Sequence, residues 1–214
     1  MRTSTIKRAA ALGAAALIGA TALVAAPAAN AANDGTKSLA SVLGVGKAKF
    51  DMNPADFDIV TKAAEAVLAA KPDSAVALLA DGKTALTVFA PTDQAFLNLA
   101  SALSGKAVKS EAAAFAAVAG LGIDTVETVL LYHVVPGKAI LSGDALKANG
   151  AKLQTAVDGK VIRVKVTDKP AIILGDYAPK LSNPRVVLSA VDINKGNKQV
   201  AHAINGVLLP IAAG

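Results

Sequence analysis

The spacing of the apolar residues changes near Gly150, and this change restricts the fold more than any other feature of the sequence. Before it, apolar residues such as Phe57, Val60 and Ala64 recur every three or four positions, which is typical of amphipathic helices. Beyond it, apolar and polar residues alternate, which is typical of half-buried strands. The chain is therefore predicted to be an α+β protein, with most of its helices before most of its strands.

Turn residues and helix-start signals divide these two regions into elements. The predicted helices cover residues 38–43, 57–71, 92–104, 110–118 and 124–133. The predicted strands cover residues 86–89, 157–166, 172–174, 186–191 and 200–209, and a hairpin turn is predicted at Asp158-Gly159. Short strands with such closely spaced turns favour a sandwich or a partly rolled sheet, with the helices packed on one side.

The first thirty-one residues have the composition of a secretory signal peptide. A cationic head that contains Arg2, Lys7 and Arg8 precedes an uncharged alanine-rich stretch. Ala29-Asn30-Ala31 then places small side chains where a signal peptidase accommodates them. An uncleaved membrane anchor is the alternative, but the stretch is only weakly apolar and a cleavage site follows it. We expect cleavage after Ala31 and export, so that the mature protein is extracellular.

The mature chain has the length of one domain and contains no cysteine. The absence of cysteine excludes thiol catalysis, iron–sulfur clusters, thiolate zinc sites and a lipid anchor on cysteine. The longest uncharged apolar run, residues 112–123, is too short for a membrane span, which needs about twenty residues. We therefore expect no stable membrane insertion after the signal peptide is removed.

The formal net charge of +6 overstates the basic character of the mature chain. Three of the 22 Lys and Arg residues lie in the signal peptide, which leaves 19 against 16 acidic residues and a net charge of +3. Aromatic residues make up only 3% of the sequence, so platforms for stacking nucleic acid bases are scarce. These features argue against a nucleic acid partner.

Three segments of the sequence resemble the signature motifs of the fasciclin domain. The first is Thr87-Val88-Phe89-Ala90-Pro91-Thr92-Asp93-Gln94-Ala95-Phe96. The second is Leu131-Tyr132-His133-Val134-Val135-Pro136-Gly137. The third is Val200-Ala201-His202-Ala203-Ile204-Asn205-Gly206-Val207-Leu208-Leu209-Pro210. They occur in the family's order and frame nearly the whole mature chain, so the chain is identified as a member of this family, with a fasciclin domain predicted over residues 37–211.

The resemblance implies a wedge-shaped β-sandwich flanked by helices, and a role in adhesion to cells or extracellular matrix. In animal members of the family, integrin contacts are attributed to the tyrosine–histidine motif, here Tyr132 and His133. They are also attributed to an Asp-Ile pair just before the closing motif, matched here by Asp192 and Ile193. These four residues are the partner-binding residues that the resemblance implies.

The sequence departs from the family pattern at two places. The family usually carries Asn where Asp93 stands, although Thr92 and Asp93 fit an N-cap and a first-turn charge at the start of a helix. The family also commonly has an Asn-Gly pair where this chain has Asn197-Lys198-Gln199. This second departure predicts a different shape for the loop at 195–199 and leaves open whether that loop takes part in binding.

The chain has only two histidines, and the apolar pattern places both on buried faces. His133 shares a helix face with Leu130, and His202 alternates with Val200 and Ile204 along a strand. Because burial disfavours the cation, we expect neutral imidazoles whose ring nitrogens are hydrogen-bonded internally and fix one segment against another. The sequence contains neither His-x-His nor His-Glu-x-x-His, and we predict no metal site.

The other candidate residues have a binding and a structural interpretation side by side. The phenol of Tyr132 can pack against apolar carbon and still meet water, which favours it as a direct contact. Asp192 and Ile193 fit either a strand end that enters a loop or an adhesive contact whose carboxylate suits a cation-dependent receptor. A calcium loop from Asp192 onwards is excluded, since Gly196 occupies its fifth position and Ala203 its twelfth.

No catalytic motif supports an enzyme. The sequence has no Gly-x-Ser-x-Gly, no Gly-x-x-x-x-Gly-Lys-Ser/Thr phosphate loop and no Gly-x-Gly-x-x-Gly. The leading hypothesis is a secreted, non-enzymatic adhesion or matrix-interaction protein that binds a protein or glycan without a cofactor. A carrier or sensor that holds a small apolar ligand between helices and sheet is the alternative, and a hydrolase of unrecognised type is a weaker one. The sequence leaves the partner and the oligomeric state open.

Overall fold

The computed structural model describes residues 34–210. The predicted signal peptide at 1–31 and residue 211 of the predicted domain lie outside the described residues. Within residues 34–210, the α-helices are α1 Leu39–Leu43, α2 Asp58–Ala70, α3 Leu78–Asp81, α4 Asp93–Ser104, α5 Glu111–Ala119, α6 Ile123–Tyr132 and α7 Ser142–Ala145. The strands are β1 Leu86–Pro91, β2 Val134–Pro136, β3 Lys152–Gln154, β4 Val161–Val166, β5 Ile172–Gly175 and β6 Gln199–Ile204.

The strands form two three-stranded sheets. In the first sheet, in the order β2-β1-β6, β1 is antiparallel to β2 and parallel to β6. In the second sheet, in the order β3-β4-β5, all pairing is antiparallel. The predicted turn at Asp158-Gly159 lies between β3 and β4, and Gly159 adopts the left-handed conformation (φ 68°) that such a turn requires. The α+β fold class predicted from the sequence is confirmed.

The first sheet has a different environment on each face. On one side, Phe89 of β1 and Ile204 of β6 share an apolar cluster with Val164 and Leu174 of the second sheet. On the other side, alternate residues of β1 pack with Leu39 of α1. Every residue of β1 and β6 is buried, which is expected for strands that are covered on both faces.

The helices pack mainly on one another. The buried apolar faces of α2, α4, α5 and α6 form a cluster of their own, which the segment after β6 joins through Val207 and Leu209. Ser38 and Ser110 cap α1 and α5 through their hydroxyl groups, and Gly105 ends α4 in the left-handed conformation. The predicted helices are confirmed, and none of their ends differs from the prediction by more than one residue.

The second sheet exposes its outer face. Along β4, Ile162 and Val164 are buried while Arg163 and Lys165 are exposed, so the strand alternates between the sandwich core and solvent. This sheet therefore offers a flat, solvent-facing surface that the first sheet does not.

Two strand predictions were wrong near the C-terminal end. In the segment predicted as strand 186–191, Val186 makes only an isolated bridge to Ile204, and a 3-10 turn follows at Leu188–Ala190. The predicted strand 200–209 stops at Ile204, because the side chain of Asn205 accepts a hydrogen bond from the Arg185 amide at 2.8 Å and turns the chain. Apolar, β-branched composition alone did not reveal this bond, because its two residues lie 20 positions apart in the sequence.

Within the described residues, no single helix is long and apolar enough to span a membrane. The helices α5 and α6 reach the required length and composition only when taken together, and they meet at an angle of 107°.

Candidate functional site

Tyr132 ends α6 and is completely buried, with an exposed fraction of 0%. Its hydroxyl donates a hydrogen bond to the Val161 carbonyl at the start of β4, with an O···O distance of 2.9 Å. Burial raises the pKa of the phenol. The expectation that this phenol meets water is therefore wrong, because its polar end has a partner inside the protein. Tyr132 ties α6 to the second sheet.

His133 follows directly and is also buried, with an exposed fraction of 3%. Its Nδ1–H donates to the Val129 carbonyl at 2.7 Å, and its Nε2 accepts from the Leu208 amide at 2.9 Å. These partners fix the neutral Nδ1–H tautomer. Burial lowers the pKa of His133 to about 4, although the bond to the Val129 carbonyl acts in the opposite direction. The prediction of a buried, neutral imidazole is confirmed.

His202 on β6 has the opposite tautomer. Its Nε2–H donates to the Ile140 carbonyl at 2.8 Å, and its Nδ1 accepts from the Asp192 amide at 3.2 Å. The exposed fraction is 2%. Burial lowers the pKa of His202, opposed by the Ile140 carbonyl and by the Asp192 carboxylate, which lies 3.9 Å from Nδ1. His202 thus joins β6 to the segments before α7 and before β6, and its predicted burial is confirmed.

The carboxylate of Asp192 is held inside the structure. Its two oxygens accept from the amide and the hydroxyl of Ser142 at 2.7 and 2.8 Å. Ile193 is half-buried, pairs with Ala201 and packs beside α1 and β1. Among the described residues, hydrogen bonds link Asp192 to Ser142 and to His202, and none links it to Tyr132. The four predicted binding residues therefore act as internal connections in this structure, and their contact with a partner stays a prediction.

The loop that precedes β6 is tied to the N-terminal segment. The side chain of Asn194 donates to the Lys37 carbonyl at 2.7 Å, and that of Asn197 accepts from the Lys37 amide at 2.9 Å. Next to them, the buried side chain of Gln199 accepts from the Leu39 amide at 2.8 Å. The segment at 195–199 is therefore engaged with its own chain.

Thr92 and Asp93 stand at the start of α4, as predicted, but their side chains act differently from the prediction. Thr92 occupies the N-cap position without a side-chain capping bond. Asp93 instead caps α2, because its oxygens accept from the amides of Ile59 and Asp58 at 2.9 and 3.1 Å. Burial, together with the hydrogen bond and negative charge of Asp56, raises the pKa of Asp93.

The outer face of the second sheet is basic. Lys152 on β3 stands directly opposite Arg163 on β4, and both are exposed. Two residues further along β4, Lys165 stands opposite Ile173 of β5. On the other side of Ile173, an isolated β-bridge pairs it with Arg185, which is exposed. We call the four cations Lys152, Arg163, Lys165 and Arg185 the basic sheet face. The sequence analysis missed this surface, although the alternation of Val161-Ile162-Arg163-Val164-Lys165-Val166 contains the signal.

The acidic residues near this sheet do not neutralise it. Residues 145–185 contain eight Lys and Arg against three Asp, whereas the rest of the mature chain contains eleven basic and thirteen acidic residues. Of the three, Asp158 and Asp168 lie outside the strands and are exposed. Asp176 accepts from the amides of Ala178 and Leu209 at 3.0 and 2.9 Å. The small net charge of the chain therefore hides a strongly uneven distribution.

An aromatic ring lies at one end of the basic sheet face. Lys160 Nζ is 4.4 Å from the centroid of the Tyr177 ring, and the guanidinium carbon of Arg163 is 5.4 Å from it. Both distances suit cation–π attraction. The ring favours a fixed orientation of both cations, of which Arg163 is exposed and Lys160 is partly buried.

The described part of the chain offers little enclosed space for a ligand. Two cavities between the helices and β1 measure about 20 and 30 Å³, which suits about one water molecule each. A third cavity, of about 130 Å³, lies between the two sheets and is lined by Phe89, Ile140, Leu174 and His202, with Lys138 and Asp144 also on its wall. Pockets that bind drug-sized ligands measure roughly 300–1,000 Å³, so this one suits only a small group.

A family model described as the Fasciclin domain matches residues 60–210. Among solved structures, the chain is similar to a FAS1 domain pair from the insect cell adhesion molecule fasciclin I, with 14% sequence identity and a TM-score of 0.44. That similarity covers 71% of this chain and 43% of the domain pair. No curated protein matches the sequence.

Proposed function

The chain belongs to the fasciclin domain family, and from this membership we propose that it is a secreted, non-enzymatic adhesion protein that binds an acidic glycan. Membership supports an adhesion-related, extracellular role in general terms. The signal peptide predicted at residues 1–31 supports secretion. The proposed partner is a sulfated or phosphorylated polymer of the cell surface or the extracellular matrix.

The observation that carries this proposal is the like-charged pair Lys152–Arg163. Two cations directly opposite each other on neighbouring strands destabilise a sheet by roughly 0.2–1 kcal/mol. The fold gains nothing from this arrangement, whereas a polyanion that lies across the strands meets a row of accessible cations. Arg also presents a planar fork that matches sulfate and phosphate oxygens. The basic sheet face therefore favours an acidic polymer as the partner.

The environment of the histidines supports a non-enzymatic role. Both imidazoles are buried, and their ring nitrogens are engaged with backbone groups, so neither presents a free nitrogen to a substrate. A general base needs a nitrogen or oxygen within reach of the proton that it removes.

The proposal is tested by retention of the mature protein on immobilised heparin, with uncharged dextran as the control matrix. The double variant Arg163→Glu, Lys165→Glu is expected to weaken binding at least tenfold, which corresponds to about 1.4 kcal/mol. The matched control is Lys47→Glu, Lys106→Glu, which changes the net charge equally at exposed positions outside the sheet. An equal loss in both double variants would show that binding follows net charge and would refute the proposed surface.

A second variant separates the basic sheet face from the tyrosine–histidine motif. Tyr132→Phe removes only the hydroxyl that bonds Val161, and we expect binding to heparin to change less than twofold. A loss of binding at unchanged stability would instead support the direct contact that the family resemblance implies for Tyr132.

The carrier hypothesis is favoured by one observation, the cavity of about 130 Å³ between the sheets. Its lining suits a small apolar group but not a lipid chain or a large cofactor. Mass spectrometry of an organic extract of the purified protein tests this function. A stoichiometric ligand would support the carrier, whereas an extract without one would leave adhesion as the function.

A further inference from the structure

Three helices begin with an acidic residue, and these three residues lie together. They are Asp58 at the start of α2, Asp93 at the start of α4 and Glu111 at the start of α5. One carboxylate oxygen from each lies within 4.8 Å of the other two. We call these residues the acidic triad. They are far from the basic sheet face in the sequence and take no part in the proposed adhesion.

The acidic triad is largely removed from water. Asp93 is 0% exposed and Glu111 is 3% exposed, while Asp58 is half-buried. Asp93 uses its oxygens to accept the two amides at the start of α2. Among the described residues, neither oxygen of Glu111 has a hydrogen-bond partner. Buried polar atoms without a partner are rare in folded proteins, and a bound ion is one of the groups that can satisfy them.

The protein supplies too little positive charge to balance the triad. Each helix N-terminus contributes roughly half a unit of positive charge, which offsets only part of the negative charge that the triad carries when its carboxyl groups are ionised. Within residues 34–210, no Lys, Arg or His forms an ion pair with a triad residue, and the nearby Lys62 pairs with Glu65. A buried carboxylate without a counter-charge is strongly disfavoured.

We propose that the acidic triad binds a calcium ion. Calcium takes oxygen ligands, chiefly carboxylates, at 2.3–2.6 Å, so oxygens around one ion lie up to roughly 5 Å apart, which matches the separation within the triad. Magnesium demands shorter bonds and keeps several waters, and it fits this carboxylate group less well. Asp51, Asp56 and Asp58 form a second, more exposed acidic group that shares Asp58 with the triad.

Such an ion links the starts of α2, α4 and α5. These helices make up most of the helical core, and their N-termini converge on the triad. Calcium therefore stabilises the helical layer against unfolding and leaves the sheet surface unchanged.

The test measures thermal unfolding and calorimetric titration of the mature protein after treatment with chelator, using Ca²⁺ alone. Extracellular calcium modules bind with a Kd of about 10⁻⁴–10⁻³ M. At 10 mM Ca²⁺, a Kd near 10⁻⁴ M raises the melting temperature by about 5–10 °C. The variant Glu111→Gln keeps the shape of the side chain but is expected to lose this response. The control Asp73→Asn removes an exposed carboxylate outside the triad and is expected to keep it.

Circular dichroism without calcium checks that both variants are folded. If Glu111→Gln is not folded, Asp58→Asn takes its place in the test. Three results would overturn the proposal. The first is the absence of any saturable response of the wild-type protein to 10 mM Ca²⁺. The second is a response that persists in the triad variants. The third is an equal or larger effect of Mg²⁺, because the argument rests on the size of the ion.

Discussion

At the scale of single residues, the two histidines show how a buried imidazole is specified by its partners. His133 faces a carbonyl with Nδ1 and an amide with Nε2, and His202 has the reverse arrangement. Protonation of either ring would add an N–H to the nitrogen that now accepts a hydrogen bond, so that this N–H would face the backbone N–H of Leu208 or of Asp192. The helical spacing around His133 predicted its burial, but it did not predict the tautomer, because the deciding amide belongs to Leu208, which lies 75 positions away.

The burial of His133 makes the stability of the protein depend on pH. The folded pKa of about 4 lies below the unfolded value of about 6.5, so the unfolded state binds more protons between these values. The free energy of unfolding is therefore greatest above pH 6.5 and decreases as the pH falls towards 4. Between pH 7 and 5, we expect His133 to account for a loss of about 2 kcal/mol, measured by urea unfolding.

The variant His133→Gln isolates this contribution. It is expected to be less stable at pH 7, by about 1–3 kcal/mol, because the Val129 and Leu208 groups lose a matched partner. Its stability should then change less between pH 7 and 5 than that of the wild-type protein. A pH dependence as steep as that of the wild type would show that other groups cause it.

At the scale of elements, a prediction from the sequence succeeded or failed according to how far apart the bonding partners lie along the chain. The hairpin β3–β4 was predicted from local signals, because its turn chemistry and alternation are both contained in neighbouring residues. The strand predicted at 186–191 was wrong. The Val187 amide bonds to the carbonyl of Ala203, and the nearby Arg185 amide bonds to the side chain of Asn205, so both partners lie on a distant part of the chain. Local patterns therefore predicted elements whose partners are adjacent and failed where the partner is remote.

Asp192 provides a test of the loop before β6. It adopts a left-handed conformation with φ 55°, and its carboxylate holds the start of α7. Asp192→Ala loses both acceptor oxygens and adds backbone strain, so we expect a loss of about 2–4 kcal/mol. Asp192→Asn keeps one acceptor and tolerates this backbone, so we expect a loss of about 1 kcal/mol. Chemical unfolding of the two variants measures the difference, and equal losses would contradict the role of the backbone conformation.

Lys152 provides a test of the basic sheet face. Lys152→Glu places an acidic residue opposite Arg163 and replaces repulsion with attraction, so we expect a gain in stability of about 0.2–1 kcal/mol. The same variant should bind heparin more weakly than the wild type. The measurements are chemical unfolding and heparin retention on one preparation, with Lys47→Glu as the single-charge control. A variant that is less stable and still binds heparin normally would contradict both the pairing and the proposed role of this face.

At the scale of the whole molecule, the change in apolar spacing near Gly150 predicted the α+β class, and the three motifs in the family's order predicted the fasciclin fold. The charge distribution was missed, since the net charge of +3 combines a basic sheet with a more acidic remainder. The acidic triad was missed for a different reason. Asp58, Asp93 and Glu111 each look like an ordinary first-turn acid, and only the packing of three helices brings them together.

The extent of the folding unit is a further property of the whole molecule. The family match begins at residue 60, whereas the domain predicted from the sequence begins at 37. Leu39 of α1 is completely buried against Leu86 and Val88, and its amide donates to the buried side chain of Gln199. The start at residue 37 stays a prediction, and these contacts of α1 are the reason to test it.

A chain that begins at Lys47 lacks α1 and tests this point. It loses the burial of Leu39, worth about 1.5–3 kcal/mol, and leaves the side-chain oxygen of Gln199 without its donor at a cost of about 1–3 kcal/mol. We therefore expect the free energy of unfolding to fall by about 3–5 kcal/mol relative to the chain that begins at Asp34. Leu39→Ala in the longer chain is the control and should cause about 2–4 kcal/mol of this loss. Equal stability of the two chains would mean that α1 lies outside the folding unit, and that the domain begins after it.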